Sequence, residues 1–349
     1  MHSSSTSRYL VLSLAGLALV VFLISGCLGG GSDTSTVSDT DVAFDRPAWQ
    51  LIYTDVDFAG PSLGLISGWR GVILRSIDAG RTWTQSKVGT KADLNSVAIL
   101  DTSTAVAVGS GGNILRSTDS GQTWTPVESP TIETLSKVVP VGPGVAVAAG
   151  WRGTILRTAD GGKTWSHQFD TSDPSLNFES IDFTASGVGI AVSSTGRAFK
   201  SSDGALTWQP LTLPQEGLRL FGVSLLDDNN AFLTGNLEAE KVSILGGKSI
   251  LMRTADGGDN WKFGPREMNI DFLTIRYLAP HNAIAAGWGG ELWDTVDNGD
   301  SWQKLSTHTT QALRSIARAD KTTVVAVGDG QTIITSRDGG LSWDKVKGS

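Results

Sequence analysis

From about residue 47 onward, short runs of apolar residues alternate with polar ones and are interrupted by glycine-rich turns. One stretch shows this pattern four times in succession, in residues 96–100, 105–108, 113–116 and 124–127. A period of two with many β-branched residues is typical of β-strands, and no window has the period of an amphipathic helix. The pattern therefore predicts an all-β protein in which groups of four short strands recur.

A turn motif of the form Ser/Thr-x-Asp-x-Gly-x-Thr/Ser-Trp separates the last two strands of each group. Its aspartates are Asp78, Asp119, Asp160, Asp203, Asp256, Asp297 and Asp338. The tryptophans that end the motif are spaced 41, 41, 43, 53, 41 and 41 residues apart, which is an internal repeat. An Asp in such a turn accepts hydrogen bonds from backbone N–H groups, and the Gly supplies a positive φ. We therefore interpret the seven aspartates as structural.

The motif resembles the Asp-box of sialidase-type β-propellers. Four strands make one propeller blade, so seven copies predict a seven-bladed β-propeller of four-stranded antiparallel blades over residues 47–349. The Trp ring of each motif is expected to be buried between hairpins. Ala205 stands where the motif has Gly and Asn260 where it has Thr, so those two turns are expected to be irregular. Residues 49–52 read as an extra outer strand that packs near the last blade and helps to close the ring.

The N-terminal residues read as an export signal. Residues 10–24 are uncharged and apolar, a length typical of a signal-peptide core. They lead through Ser25 and Gly26 to Cys27, an arrangement that resembles a bacterial lipoprotein signal in which the Cys thiol is acylated. The sequence thus predicts a signal peptide over residues 1–26 and a lipidated Cys27 with a flexible linker over residues 27–46. An ordinary secretory peptide or an uncleaved anchor is the alternative.

Composition narrows the functional classes. Cys27 is the one Cys, so neither an internal disulfide nor a thiolate zinc cluster can hold the fold. A formal net charge of −7 makes nucleic acid an unexpected partner. The four His are scattered, and no metal-protease, P-loop or dinucleotide motif occurs, so we expect no metal and no cofactor.

The turns between the second and third strands of the blades carry the candidate binding residues. These turns are expected on the face opposite the Asp-boxes, together with the connections between blades. Trp and Arg on such turns are typical of protein interfaces. The candidates are Trp69, Arg70, Trp151, Arg152, Arg197 and Trp288. The fifth repeat carries an insertion, residues 236–249, that should project from this face. The alternative is that the Trp rings merely cover glycine-rich blade edges.

A hydrolase is the second hypothesis. A sialidase needs three Arg around a substrate carboxylate and a Tyr nucleophile with an acidic partner. Arg219, Arg276 and Arg314 begin predicted inner strands, and Tyr277 adjoins Arg276. Sequence neighbours on a strand point to opposite faces, however, so Arg276 and Tyr277 should not meet. We therefore expect no enzyme, and keep a sialidase-like hydrolase or glycan-binding propeller as the alternative.

The lipoprotein-like signal, the Pro-x-Trp-Gln lead at residues 47–50 and the seven repeats together resemble the photosystem II stability/assembly factor family. The resemblance covers residues 47–349. It implies a lipid-anchored propeller that binds a reaction-centre subunit precursor, or another membrane or envelope protein, and aids its assembly. It also implies an Arg-rich patch, for which this face offers Arg70, Arg152 and Arg197. The expected location is the periplasmic face of an outer membrane, or the thylakoid lumen if the source is cyanobacterial.

Overall fold

A computed structural model describes residues 51–169, 171, 173–237, 249–265, 268 and 270–346. They form seven sheets, each built on four antiparallel strands that follow one another along the chain. The first strand of every sheet packs against the first strands of the two neighbouring sheets, so the sheets are the blades of one closed ring. This confirms the seven-bladed β-propeller. Residues 1–46, with the expected signal peptide, Cys27 and linker, lie outside the described residues.

The strands run in chain order from blade 1 to blade 7. Blades 1 to 3 contain β1 (Tyr53–Phe58), β2 (Gly64–Gly68), β3 (Val72–Ser76), β4 (Thr84–Gln85), β5 (Lys87–Val88), β6 (Leu94–Ile99), β7 (Ala105–Gly109), β8 (Ile114–Ser117), β9 (Thr123–Val127), β10 (Leu135–Gly142), β11 (Val145–Gly150), β12 (Ile155–Thr158) and β13 (Ser166–His167). Blades 4 to 7 contain β14 (Phe178–Phe183), β15 (Gly189–Ser193), β16 (Ala198–Ser201), β17 (Gln209–Leu211), β18 (Leu218–Leu225), β19 (Ala231–Leu237), β20 (Ser249–Thr254), β21 (Lys262–Phe263), β22 (Phe272–Ala279), β23 (Asn282–Gly287), β24 (Leu292–Thr295), β25 (Gln303–Leu305), β26 (Leu313–Arg318), β27 (Val324–Gly328), β28 (Thr332–Ser336) and β29 (Asp344–Lys345). β5 pairs in parallel with β9, which gives blade 2 a fifth, outermost strand.

The hydrophobic core is divided among the seven spaces between neighbouring blades. Second strands such as β7 and β27 are buried along their whole length, because each is covered on both faces by an adjacent blade. Each space is filled by one apolar cluster, and an Asp-box Trp belongs to or packs against every cluster. Trp124 and Trp343, for example, are 4% and 2% exposed. The expectation that these rings are buried between hairpins is confirmed for Trp124, Trp165, Trp261 and Trp343, whereas Trp83, Trp208 and Trp302 are half-buried.

The Asp-box turns have one hydrogen-bond pattern. In blade 2 the Ser117 hydroxyl donates to Asp119 Oδ1 at 2.8 Å and accepts from the Gly121 N–H at 2.9 Å. The other oxygen, Asp119 Oδ2, accepts from the Thr123 hydroxyl at 2.6 Å. Each carboxylate thus satisfies the polar groups of a turn that has no neighbouring strand to pair with.

The expected irregularity of the fourth and fifth turns is wrong. Ala205 adopts a φ of 69°, and its N–H donates to the Ser201 hydroxyl at 2.9 Å, as a Gly does elsewhere. Asn260 places its Nδ2 2.8 Å from Asp256 Oδ2, in the position of the usual Thr hydroxyl. Ala is small enough for the left-handed region, and an amide N–H replaces a hydroxyl donor, so both turns keep the regular geometry.

A cationic side chain crosses most junctions between blades. The residue before the Asp-box Ser or Thr reaches a backbone carbonyl in the next blade's Asp-box turn. These bonds run from Arg75 to Ser120 O, Arg116 to Gly161 O, Arg157 to Gly204 O, Lys200 to Gly257 O and Arg253 to Asn298 O. At the junction of blades 7 and 1, Arg337 Nη1 donates instead to Ala79 O at 2.8 Å. In blade 6 the same position holds Asp294, which cannot donate such a bond.

The ring closes without exchanging an outer strand. The outer strand of blade 7, β29, belongs to the chain's own C-terminal hairpin. Residues at the N-terminal end of the described chain reach blade 7 at a different place. Ile52 forms an isolated bridge with Asp329, and the Gln331 N–H donates to Leu51 O at 3.2 Å. The expected contact with the last blade is present, but its expected position as an outer strand is wrong. Trp49 and Gln50 lie outside the described residues.

Candidate functional site: the second-turn face and the channel mouth

The turns between second and third strands lie beside the starts of the inner strands. We call the surface formed by these turns and by the connections between blades the second-turn face. In blades 1, 3 and 6 the turn is a single 3-10 turn, Trp69–Gly71, Trp151–Gly153 and Trp288–Gly290. The Trp151 N–H donates to Thr134 O at 2.9 Å, immediately before the inner strand. Trp69 and Trp288 make the equivalent bond, which holds each Trp at the rim of the central channel.

The glycine before each of these turns is required for that approach. A Cβ at Gly150 would overlap the carbonyl oxygen of Thr134, and a Cβ at Gly109 would overlap that of Asp93. Only a residue without a side chain lets the turn lie flat against the start of the inner strand. The glycine-rich turns noted in the sequence therefore have a positional cause.

Arg70 and Arg152 occupy a conformation that other blades give to glycine. Their φ values are 62° and 54°, whereas Gly111 and Gly289 hold the same turn position at 67° and 69°. A long side chain in the left-handed region costs of the order of 1 kcal/mol relative to glycine. Such strain at two equivalent positions marks them as candidates for a role outside folding.

An open bowl of about 420 Å³ lies on this face at the mouth of the channel. Trp69 and Trp151 line it on one side, and Phe221 and Leu273 line it on the other. The Trp151 side chain is 47% exposed. Of the six predicted binding residues, the structure thus brings two into one concave surface. Trp288 is 50% exposed on the same face but does not line the bowl.

The predicted arginines do not form a free cationic patch. Arg152 Nε lies 3.5 Å from Glu133 Oε1, and Arg197 Nη1 lies 2.8 Å from Asp173 Oδ2. Arg70 and Arg152 are bonded through their backbone N–H groups to the next blade, to the side chains of Asp93 and Asn177. None of the three guanidinium groups lines the bowl.

The bowl leads into a polar channel because every inner strand carries a β-bulge near its start. The register shifts just after the first inner-strand residue in six blades, as between Tyr53 and Asp55, and after the third residue in blade 5, between Leu220 and Gly222. A bulge re-aims side chains, so successive residues such as Thr54 and Asp55 both line the channel. A cavity of about 120 Å³ remains in it.

Charged groups from several blades meet in this channel. Asp55 is 2% exposed and accepts hydrogen bonds from the Ser96 and Ser315 hydroxyls and from Lys137 Nζ. Deeper in the channel, Arg276 Nη1 lies 3.7 Å from Asp182 Oδ1. Burial raises the pKa of the Asp57 carboxyl, although the Ile99 N–H donates to it. At the mouth, burial also raises the pKa of Glu179.

The residues of the hydrolase hypothesis are not assembled into one site. Arg276 lines the channel, whereas Tyr277 packs in the core against Phe232, and its hydroxyl donates to Asn298 Oδ1 at 3.0 Å. Burial raises the pKa of Tyr277. Arg314 lines the same cavity as Arg276, and its Nε lies 2.5 Å from Asp329 Oδ1. The expected separation of Arg276 and Tyr277 is confirmed.

Several residues of the bowl were not found from the sequence. They are Asp93, Glu179, Phe221 and Leu273. All four lie just before or within the first few residues of an inner strand. The sequence does not reveal the bulge there, so it could not show that their side chains line the bowl. Within the described residues, no group of three or more His, Cys, Asp or Glu could hold a metal ion, and no helix there is long and apolar enough to span a bilayer. Most of the expected insertion, residues 238–248, lies outside the described residues.

Fold and face together define the class of this protein: a seven-bladed β-propeller with an aromatic-walled bowl at the mouth of its channel. A family model described as photosynthesis system II assembly factor YCF48 matches residues 40–313, and the chain belongs to that family. A search of curated protein sequences found no match.

Solved structures agree with the fold. "YCF48 bound to D1 peptide" is 20% identical, with a TM-score of 0.68 over 83% of this chain and 94% of that one. YCF48 from Cyanidioschyzon merolae is 21% identical, with a TM-score of 0.67 over 84% and 97%. A GH74 xyloglucanase from Xanthomonas campestris is 17% identical, with a TM-score of 0.65 over 84% of this chain and 54% of that one. At these identities the likeness concerns the fold alone.

Proposed function

We propose that this protein is a non-enzymatic, lipid-anchored propeller that binds a membrane or envelope protein and aids its assembly or stability. The observation that carries the proposal is the exposed bowl walled by Trp69 and Trp151 on the second-turn face. Aromatic side chains on rigid turns around a concavity are typical of interface hot spots. If the source organism is photosynthetic, the client is a photosystem II reaction-centre subunit.

Family membership supports this proposal. A YCF48 protein has been solved with a bound D1 peptide, and peptide binding on a propeller face needs no catalytic group. Arg70 and Arg152, whose backbones are strained, directly follow Trp69 and Trp151 in the sequence. Backbone strain at equivalent positions is typical of functional sites. Arg70, Arg152, Arg197 and Trp288 are assigned to the outer part of the same recognition surface.

The anchor is proposed from the sequence alone. Cys27 follows an apolar run, and acylation of its thiol would place the propeller on the periplasmic face of the outer membrane, or in the thylakoid lumen of a cyanobacterium. Labelling cells with an alkyne fatty acid tests this point. We expect incorporation into the wild type and none into Cys27→Ser; equal labelling of both would contradict the anchor.

Co-purification from membranes tests the client proposal. We expect wild-type protein to retain a membrane-protein client, and Trp69→Ala/Trp151→Ala to lose at least about tenfold of it, as for two hot-spot residues. Leu206→Ala is the matched control, since Leu206 is 54% exposed on the Asp-box face. Equal retention by all three proteins would contradict the proposal. Turnover of a fluorogenic sialoside that is lost in Tyr277→Phe would favour the hydrolase instead.

A further inference from the structure

The charged side chains that line the bowl carry a net negative charge, although Arg219 is near enough to Glu179 to act on its carboxylate and to oppose the rise in pKa that burial causes. The side chains are those of Asp93, Glu179 and Arg314. Arg314 is neutralised by Asp329, which its guanidinium contacts through two nitrogens. Among the described residues, no Lys, Arg or His lies within ion-pair distance of Asp93 or Glu179. The Asp93 carboxylate accepts only the backbone N–H of Arg70.

The aromatic walls of the bowl, like its carboxylates, favour a positively charged ligand. The face of an indole ring carries negative electrostatic potential and attracts a cation placed over it. One example exists on this face, where the Arg314 guanidinium carbon lies 5.7 Å from the centre of the Trp288 ring. Trp69 and Trp151 have no such cation over them among the described residues.

We propose that the bowl receives a Lys or Arg side chain from an extended segment of the client, held between the Trp69 and Trp151 rings and the carboxylates of Asp93 and Glu179. This inference rests on the proposed function and adds the chemistry of the partner. Arg152, Arg197 and Arg314 are paired with Glu133, Asp173 and Asp329, and Arg70, which has no ion pair among the described residues, does not line the bowl. An acidic segment would be repelled there.

The shape of the rim fits a polypeptide. Between the two Trp turns lies the blade 2 turn, Ser110–Gly112, whose residues carry almost no side chain. An extended chain can cross this low point and direct one long side chain into the bowl. Glu179 is half-buried with a raised pKa, and a cation beside it would stabilise its charged form.

Fluorine NMR of the full-length protein in detergent, labelled with 5-fluorotryptophan and assigned by single Trp→Phe variants, tests the proposal. The probes are the N-acetyl, N-methylamide derivatives of arginine, lysine, citrulline and glutamate. Citrulline matches arginine in shape but carries no charge. We expect arginine and lysine to shift the Trp69 and Trp151 resonances with millimolar affinity, and citrulline and glutamate to leave them unchanged.

Two isosteric variants complete the test. Asp93→Asn and Glu179→Gln should each weaken arginine binding about fivefold. Asp259→Asn, which removes an exposed carboxylate from the Asp-box face, should leave it unchanged. Equal shifts with arginine and citrulline, or no shift at about 50 mM arginine, would overturn the inference. If either of these results were found while Trp69→Ala/Trp151→Ala still lost the client, the proposed function would stand. Only the inference that the bowl binds a cationic side chain would then be wrong.

Discussion

The Ser315 hydroxyl donates a 2.6 Å hydrogen bond to Asp55 Oδ1, joining two residues that are 260 positions apart in the chain. The bond crosses the seam between the last blade and the first. Asp55 also accepts from Ser96 Oγ at 2.5 Å and from Lys137 Nζ at 2.7 Å. One buried carboxylate in the channel thus ties together blades 7, 1, 2 and 3, in a ring that has no exchanged outer strand.

Asp55→Ala should lower the free energy of unfolding by about 3 kcal/mol, because it leaves the Lys137 ammonium and two hydroxyls without their buried partner. Chemical denaturation measures the change. Ser180→Ala is the matched control, because Ser180 also lines the channel and its hydroxyl makes no hydrogen bond among the described residues. This substitution should cost less than about 1 kcal/mol. A loss in Asp55→Ala as small as in the control would show that the seam is held by apolar packing.

Asp294→Asn should stabilise the protein at neutral pH. Asp294 is 8% exposed, its Oδ1 has no hydrogen-bond partner among the described residues, and burial raises its pKa. A raised pKa means that the folded state favours the protonated acid, so stability is lost as the pH rises through the folded pKa. We expect a gain of about 1 kcal/mol at pH 7 that disappears below pH 4, measured by urea unfolding at both values. A gain that is equal at the two pH values would contradict this account.

Much of the architecture follows from the sequence because the repeat is local. Each blade needs its own Asp, Gly and Trp, so the spacing from Trp83 to Trp343 counts the blades directly. Ala205 and Asn260 show the limit of a motif, since the turn tolerates any residue that keeps its φ or its donor. Asp294 breaks no motif, and its unusual position becomes visible only when the junctions between blades are compared.

Arg152→Gly should keep the stability within about 1 kcal/mol of the wild type, because relief of the left-handed conformation offsets the added freedom of the unfolded chain. Client retention should nevertheless fall, because the Arg152 side chain is proposed to contact the client. Gly289→Ala is the reverse control: it places a side chain at a φ of 69° and should cost about 1 kcal/mol. Thermal unfolding together with co-purification decides the point. Unchanged retention in Arg152→Gly would remove Arg152 from the recognition surface.

Acid should weaken the Asp-box turns together. Hydrogen bonds from the Thr207, Ser301 and Ser342 side chains, with backbone N–H groups, lower the pKa values of Asp203, Asp297 and Asp338 to about 2. A lowered pKa contributes stability that is present above about pH 4 and is lost as the pH falls towards 2. The melting temperature should therefore drop steeply over that range. In Asp338→Asn the drop should be shallower, and an unchanged slope would contradict the assignment.

The binding residues were harder to predict than the fold for a geometric reason. Alternation along a strand assigns neighbouring residues to opposite faces, yet Glu179 and Ser180 both line the channel, as do Phe221 and Gly222. The bulge in each inner strand breaks the alternation and leaves no mark in composition. Trp69 and Trp151 could be found because a Trp in a glycine-rich turn is unusual, whereas Asp93 looks like any acidic loop residue.

The bridge between Ile52 and Asp329 also fixes where the N-terminal segment leaves the propeller, which is on the face that carries the Trp turns. The 24 residues from Leu28 to Leu51 can span no more than about 80 Å when fully extended. A lipid on Cys27 would therefore hold the bowl within that distance of the bilayer. A membrane-protein terminus that emerges near the anchor would then lie within reach of the bowl.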